Sequence, residues 1–350
     1  MNHTIVVKGS IIAFMGQDNY KVTIAVPVYG VEAYVGKCAE SLFEQTYSKL
    51  EFLFINDCTP DRSIEVIERV LDRFPDRKKQ VRIINQGKNK GCPAARNLAV
   101  QLATGDFLFH VDADDYIEKD AVASLVSEQS LDDADLVVAN YVIETAGSTS
   151  VVKYCDTSKP KEEIVKDCLD DKSSQSVWGI LIRRQLYIDH NIKADESFHV
   201  GEDWQVSPLL LYYADRIAYV DKVIYHYHLS RPNSITMTSQ ATVSNKKNQL
   251  VCFVKTMNCL LDSFKDKGET YLDVIYRKKA ILVQDAMVYS CKDRDKKTFR
   301  YLRDELDSID DRYLAAFGRP DPVVRMLKKN YYTLSIFIML KRQMSKSNTV

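Results

Sequence analysis

The sequence predicts an α/β protein with a mainly parallel sheet and a C-terminal helical region. Short apolar segments of strand character alternate with segments of helical spacing through the first half of its 350 residues. Such alternation is typical of parallel sheets whose strands are joined by right-handed crossovers. Beyond about residue 240 the apolar residues recur at intervals of three or four, which indicates helices. The sheet is therefore expected in the first two thirds of the chain and a helical layer in the last third.

The elements of the first half follow from their local patterns. Segments 22–28, 52–55, 81–84, 107–111 and 136–139 are rich in Val, Ile, Leu or Phe and are predicted strands. Segments 34–45, 61–74, 93–103 and 118–128 have apolar residues at helical spacing and are predicted helices. The second of these helices has two capping candidates, Thr59 and Asp61, because either side chain can accept a hydrogen bond from a free helix N–H group.

The second half is irregular before it becomes helical. Segments 217–220 and 223–227 are predicted short strands, and 246–264, 271–289 and 297–317 are predicted helices. A Gly-Arg-Pro-Asp-Pro break at 318–322 precedes the last segment, 323–341. We therefore divide the chain into an N-terminal extension (1–21), an α/β domain (22–235) and a helical accessory region (236–350).

Composition restricts the class of protein. Lys plus Arg and Asp plus Glu both number 48, and no basic stripe with interleaved aromatic residues occurs, so no nucleic-acid partner is expected. No stretch of 18 or more apolar residues is present, which argues against a membrane span. The eight cysteines are scattered without a Cys-x-x-Cys pair, so a reducing compartment is favoured over a disulfide or zinc framework. The expected location is the cytoplasm.

The acidic segment Asp112-Ala113-Asp114-Asp115 directly follows the predicted strand 107–111. Ligands of parallel sheets bind beyond the carboxyl ends of the strands, and residues two apart on extended chain point the same way. Asp112 and Asp114 could therefore converge on one divalent cation that holds a diphosphate. The alternative is an acidic turn before a helix, where Asp is common because it caps the helix or interacts with its dipole.

Four separated clusters point to one family. They are Ala25-Val26-Pro27-Val28-Tyr29, Ile55-Asn56-Asp57-Cys58-Thr59, the stretch from Asn89 to Asp115, and Gly201-Glu202-Asp203-Trp204. In this order and spacing they resemble the family-2 glycosyltransferases, inverting enzymes of the GT-A fold that serve bacterial polysaccharide and lipopolysaccharide synthesis. The resemblance covers residues 22–235. Neither a Gly-x-Gly-x-x-Gly fingerprint nor a Walker A loop is present.

The resemblance implies a donor site for a nucleotide sugar, with UDP as the expected nucleotide. The residues of this site would be Pro27, Val28, Tyr29, Asp57, Gly91, Arg96, Asp112, Ala113, Asp114 and Arg231. The first three would line the nucleotide pocket, and Asp57 would accept hydrogen bonds from the base. Gly91 and Arg96 would help to close the site. Arg231 would neutralise the diphosphate when a mobile loop closes over it.

Mn²⁺ or Mg²⁺ is the cofactor that the resemblance implies. Asp114 and Asp112 would hold the cation, which would neutralise charge on the departing diphosphate. His228 is the expected further ligand. His226 lies on the same face of the predicted strand and is the alternative, and an ordinary strand histidine remains a third interpretation.

The resemblance assigns catalysis to Asp203, as general base on the acceptor hydroxyl, with Glu202 supporting it. Single displacement inverts the anomeric centre and needs no covalent nucleophile. Taken alone, Asp203 could instead be an acid favoured by a helix dipole. Asp57 could cap the following helix, and Arg96 could pair with an acid on a helix surface.

The chain departs from the family pattern at Ile180, where relatives often carry Lys. This change removes a cationic contact to the donor or acceptor, which Arg183 or Arg184 would have to replace. Trp178 and Trp204 could stack on an acceptor sugar, or they could be aromatic residues of the core.

A saccharide or a lipid-linked saccharide is the expected acceptor. The Gln-x-x-Arg-Trp motif of processive synthases is absent, which favours transfer of one sugar per encounter. The apolar segment 331–340 has basic flanks, so 328–342 is a candidate for peripheral contact with the inner face of the cell membrane. The alternative is a C-terminal helix that packs on the domain.

Two other functions remain open. A non-catalytic nucleotide-sugar-binding subunit would show no turnover; the pairs Asp112/Asp114 and Glu202/Asp203 favour an enzyme, whereas Ile180 favours the subunit. A nucleotidyltransferase would share the architecture and an acidic metal site. That class requires a Gly-rich basic loop after the first strand, which residues 28–32 do not supply.

Overall fold

The computed structural model describes residues 20–198, 200–229 and 241–314. This part of the chain forms one nine-stranded sheet with helices on both faces. The strands are β1 (Val22–Val28), β2 (Leu50–Asn56), β3 (Val81–Asn85), β4 (Phe107–His110), β5 (Tyr116–Ile117), β6 (Leu136–Glu144), β7 (Thr149–Lys153), β8 (Leu181–Arg183) and β9 (Ile217–His228). All five strands predicted in the first half are confirmed. The two short strands predicted at 217–220 and 223–227 are one strand, β9, whose pairing is irregular opposite Asn140.

The helices also follow the predicted order. They are α1 (Val35–Phe43), α2 (Ser63–Leu71), α3 (Cys92–Leu102), α4 (Ala121–Asp132), α5 (Lys161–Leu169), α6 (Arg184–Asp189), α7 (Glu202–Tyr213), α8 (Val243–Phe264), α9 (Glu269–Lys292), α10 (Lys296–Asp307) and α11 (Asp311–Leu314). Helix α2 is shorter than predicted because a 3₁₀ turn at Pro75–Gln80 follows it. Asp61 accepts a hydrogen bond from Ser63 N (3.1 Å) where α2 begins.

The sheet is mixed: four parallel strands form one side of it, and β6 and β9 form a second parallel pair on the other side. The strand order is β3-β2-β1-β4-β8-β6-β9-β5, and β7 pairs with β6. Strands β3, β2, β1 and β4 are mutually parallel, whereas β8 runs antiparallel to both β4 and β6. The fold class predicted from the sequence is therefore confirmed.

The register of the parallel strands brings three loops to one edge of the sheet. Val28 lies opposite Asn56, and Ala25 lies opposite His110. The segments that follow β1, β2 and β4 therefore meet beyond the carboxyl ends of these strands. Candidate residues from three of the sequence clusters lie in these segments.

The C-terminal helices pack directly against the helix that bears the fourth cluster. Gly201 precedes α7 with a φ of +87°, and a Cβ atom there would lie 3.0 Å from Thr256 Oγ1 and 3.1 Å from the Phe253 ring of α8. Only glycine allows both this backbone conformation and this close approach. Buried residues of α8–α10 belong to the same apolar cluster as one face of the sheet.

Several expectations fall on other parts of the chain. Arg231, the segment 328–342, residues 1–19 of the extension and the predicted boundary near 235 lie outside the described residues. They stay predictions. Within the described ranges, no helix combines the length and the apolar character that crossing a membrane requires.

Candidate active site

The acidic segment predicted as a metal site forms the loop between β4 and β5. Asp112 and Asp114 are half-buried, whereas Ala113 and Asp115 are buried. The next helix, α4, begins at Ala121 and receives no side-chain cap. The alternative interpretation of these acids as helix caps is therefore wrong.

Asp115 anchors this loop to β9. Its two carboxyl oxygens accept hydrogen bonds from Tyr225 Oη (2.7 Å) and from His228 N (2.8 Å). Tyr225 Oη also accepts from Asp112 N (3.1 Å). Burial, followed by the charges of Asp114 and Asp112, raises the pKa of the Asp115 carboxyl well above its usual range. Sequence reasoning missed Asp115 and Tyr225, although a third acid in the motif was a signal for the first.

Asp57 organises the loop that precedes α3. Its carboxylate is buried and accepts hydrogen bonds from Gln86 Nε2 (2.9 Å), Lys90 N (2.7 Å) and Gly91 N (2.7 Å). None of these donors belongs to α2, so the interpretation of Asp57 as a helix cap is wrong. Gly91 lies where the loop enters α3 and has a φ of +88°. Glycine adopts this conformation without strain because it has no Cβ atom. The contact with a nucleotide base stays a prediction.

Arg96 connects the acidic loop of the third sequence cluster to the acids of the fourth cluster. Its guanidinium donates to Asp112 Oδ1 (2.7 Å), to Glu202 Oε1 (3.1 Å) and to Asp203 Oδ1. The Arg96 side chain is 9% exposed, so these are buried, charge-assisted bonds rather than a surface pair. The interpretation of Arg96 as a surface ion pair is wrong. One side chain of α3 thus holds the predicted metal ligand and the predicted base together.

Asp203 lies in the first turn of α7, where a helix dipole favours an acid. Burial raises the pKa of its carboxyl to about 8, and the charges of Glu202 and Asp112 act in the same direction, while Arg96 opposes them. A carboxylate with such a pKa is a stronger base than an ordinary aspartate. Asp203 thus lies both in the first turn of α7 and in the Arg96 network, so its two interpretations do not exclude each other.

The acidic loop has the donor chemistry that a hard divalent cation requires. Mg²⁺ is usually held by one or two carboxylates together with phosphate oxygens of the substrate, rather than by an all-protein cage. Asp112 and Asp114 fit this pattern. The described residues contain no cluster of three or more His, Cys, Asp or Glu side chains with metal-site geometry. A cation here would therefore depend on ligands that the substrate supplies.

The two candidate histidines differ in their surroundings. His226 stacks on Tyr116, and its Nδ1 and Nε2 lie 3.1 Å and 2.8 Å from carboxylate oxygens of Glu144 and Glu118. Both ring nitrogens of His226 are thus engaged with carboxylates, which disfavours His226 as a metal ligand. The His228 ring contacts Tyr34 edge-on, with ring centroids 5.7 Å apart. His228 remains the predicted ligand.

The cluster after β1 presents a mixed set of groups. The side chain of Val28 is fully buried in the core, so only its backbone is available to a ligand, and its carbonyl oxygen accepts from Asp57 N (3.1 Å). Pro27 is half-buried at the end of β1, and Tyr29 is 47% exposed. Tyr29 is therefore the most exposed of these three side chains, and its contact with a nucleotide stays a prediction.

Trp178, Ile180 and Trp204 are core residues. Trp178 and Trp204 are buried, which confirms the interpretation of both as core residues. Ile180 is also buried in the core. Arg183 pairs with Asp133 (2.6 Å) and Asp135 (2.7 Å), so it does not replace the cation lost at Ile180.

Comparison with known proteins relates this chain to glycosyltransferases. The family model described as "Glycosyl transferase family 2" matches residues 23–190. The uncharacterized glycosyltransferase EpsJ of Bacillus subtilis is 30% identical over 221 residues, which are 61% of this chain and 62% of EpsJ. The matched stretch thus spans less than two thirds of that relative.

Solved structures agree on the fold. S. aureus TarS 1–349 in complex with UDP-GlcNAc has a TM-score of 0.69 and 17% identity, covering 93% of this chain and 92% of that one. The mannosyltransferase PcManGT from Pyrobaculum calidifontis, in complex with GDP-Man and Mn²⁺, has a TM-score of 0.51 and 15% identity, covering 91% and 86%. The protein has the GT-A fold, and its residues 23–190 match the model of glycosyltransferase family 2.

Proposed function

We propose that the protein moves one sugar from a nucleoside diphosphate sugar, with UDP the expected nucleotide, to a hydroxyl group of a saccharide or lipid-linked saccharide. The observation that carries the proposal is the Arg96 network, because it joins the predicted metal ligand Asp112 to the predicted base Asp203. The groups that would assist departure of the diphosphate then lie in the same cleft as the group that would deprotonate the hydroxyl. The nucleotide sugars bound to TarS and PcManGT support the donor class.

In the proposed reaction the acceptor oxygen attacks the anomeric carbon while the bond from this carbon to the diphosphate breaks. Asp203 takes the hydroxyl proton, and a positioned base of this kind contributes ~10²–10⁴-fold. The configuration at the anomeric carbon is inverted because there is one displacement. Glu202 and Arg96 keep the Asp203 carboxylate oriented, since both share the network that holds it.

On the donor side, Asp57 would accept hydrogen bonds from the base, and Tyr29 would cover it. Asp112 and Asp114 would hold Mn²⁺ or Mg²⁺, with His228 as a further ligand. When bound, the cation neutralises the charge that develops on the leaving diphosphate. Asp115 supports this role because it fixes the acidic loop to β9 next to His228.

The acceptor and the location form a separate part of the proposal. We expect a role in cell-surface polysaccharide synthesis at the inner face of the membrane, with 328–342 as the contact. Basic flanks around an apolar segment suit an anionic lipid surface. Co-sedimentation with anionic vesicles tests this contact by comparing the full chain with a chain that ends at 327. Equal partitioning of the two would remove it.

The test of activity is release of UDP from a panel of UDP-sugars, with and without Mn²⁺. The Asp114→Ala variant is expected to lose metal-dependent release, and Asp203→Asn to lose ~10²–10⁴-fold in transfer while still binding UDP. Asp72→Asn is the matched control because Asp72 is exposed and pairs with Lys78 at the surface. Nucleotide-sugar binding with no release by the wild-type protein would instead indicate the non-catalytic subunit.

A further inference from the structure

A small, partly enclosed space lies beside the Arg96 network, between α3, β4, α6 and α7. Its volume is about 20 Å³, which is room for one water molecule. Its polar lining consists of Arg96, Asn97, His110, Tyr187, Glu202 and Asp203, and its other lining residues are aliphatic. The space therefore adjoins the cleft in which donor and acceptor would meet, because Arg96, Glu202 and Asp203 line both.

Two buried polar atoms at this space have no hydrogen-bond partner among the residues that the structure describes. They are Arg96 Nε and His110 Nδ1. Both side chains are more than nine-tenths buried, and both belong to the lining. Such atoms are rare in folded proteins because an unsatisfied buried donor or acceptor is costly.

The hydrogen bonds that are present determine whether each of these two atoms can donate or accept a further one. His110 Nε2 lies 3.3 Å from Tyr187 Oη. If Nε2 carries the proton, Nδ1 is a free acceptor, whereas Arg96 Nε–H is always a donor. One water molecule can accept from Arg96 Nε–H and donate to His110 Nδ1, with its second hydrogen directed at the carboxylate of Asp203. Three hydrogen bonds are the usual number for a buried water.

We propose that one ordered water molecule occupies this space and links His110 to Arg96, which makes His110 a positioning residue for the base Asp203. The link fixes the guanidinium plane through its third nitrogen, because the other two nitrogens already hold the carboxylates. His110 contacts neither substrate nor reacting atoms in this arrangement. The catalytic part of this inference rests on the proposed function, whereas the water site does not.

A crystal structure of the wild-type protein tests the site itself. We expect one well-ordered water within hydrogen-bond distance of Arg96 Nε and His110 Nδ1. An empty space, or direct contact of these atoms with other side chains, would overturn the proposal. This result is independent of activity, so it stands even if no nucleotide sugar is turned over.

The positioning role is tested with a pair of variants. His110→Leu cannot accept from the water, so we expect kcat to fall by roughly tenfold or more with an unchanged KM for the donor. His110→Gln retains a polar group and should recover most of that loss. Val100→Ala is the control, because it enlarges the same space without removing a polar atom, and its kcat should stay near that of the wild type. Equal kcat values for His110→Leu and Val100→Ala would refute the positioning role.

Discussion

Replacing Arg96 by methionine removes the cation that three carboxylates share while keeping most of the side-chain length. The Arg96 side chain is 9% exposed, and those of Asp112, Glu202 and Asp203 are 27%, 16% and 24% exposed. Removing one partner of a buried ion pair typically costs about 3–5 kcal/mol. Since all three carboxylates keep some contact with water, we expect a loss near the lower end, ~3 kcal/mol in the free energy of unfolding.

The pH dependence of this loss is a stricter test than its size. Arg96 opposes the rise in the pKa of Asp203, so the pKa of this carboxyl should rise further, above about 8, once Arg96 is removed. Above pH 8 the wild-type Asp203 is ionised beside Arg96, whereas Asp203 of the variant still binds its proton. The stability of the variant therefore falls more steeply with pH in this range, and the deficit of Arg96→Met should be larger at pH 9 than at pH 6.

Urea unfolding at pH 6 and pH 9 measures both the size of the deficit and its pH dependence. Fluorescence of Trp178 and Trp204 reports the transition, because both are buried in the folded protein. Arg62→Met is the matched control, since Arg62 pairs with Glu32 at the surface, and its unfolding midpoint should not change. A wild-type midpoint for Arg96→Met at pH 9, or a deficit that is equal at pH 6 and pH 9, would refute the reasoning.

Three further predictions follow from the site and its supports. Asp203 acts as a base only when deprotonated, and burial raises its pKa to about 8. The value of kcat/KM for the donor should therefore rise about tenfold per pH unit below 8 and level off above it. A flat profile between pH 6 and 8 would contradict this assignment. Gly201→Ala should lower the free energy of unfolding by ~1–3 kcal/mol in a urea titration, because the position has a φ of +87° and the added Cβ atom would contact Thr256. Gly147→Ala is the control and should not change it, because that position is surrounded by open space. Asp57→Asn removes a charge that accepts three hydrogen bonds, and calorimetry should show UDP binding weakened by roughly tenfold; unchanged affinity would separate Asp57 from the nucleotide site.

Much of the fold could be predicted because its signals are local. The strands β1 to β4 follow from apolar runs of four to seven residues, and α1 to α4 follow from helical spacing between them. The stretch 141–230 was less readable. Strand β8 has only three residues and runs antiparallel between β4 and β6, so it has no periodic signal, and β9 has an irregular pairing that divides its pattern in two.

The amino-acid sequence by itself determined the fold class, the order of the motifs and the residue types of the candidate site, since these depend on periodicity and on short patterns. Only the tertiary structure decided which of those residues meet. Arg96 and Asp203 are 107 residues apart in the chain, and they pair because α3 and α7 pack on the same face of the sheet. The same packing leaves His110 and Arg96 at one buried space. Contacts of this kind depend on how whole elements pack, and no local pattern in the chain encodes them.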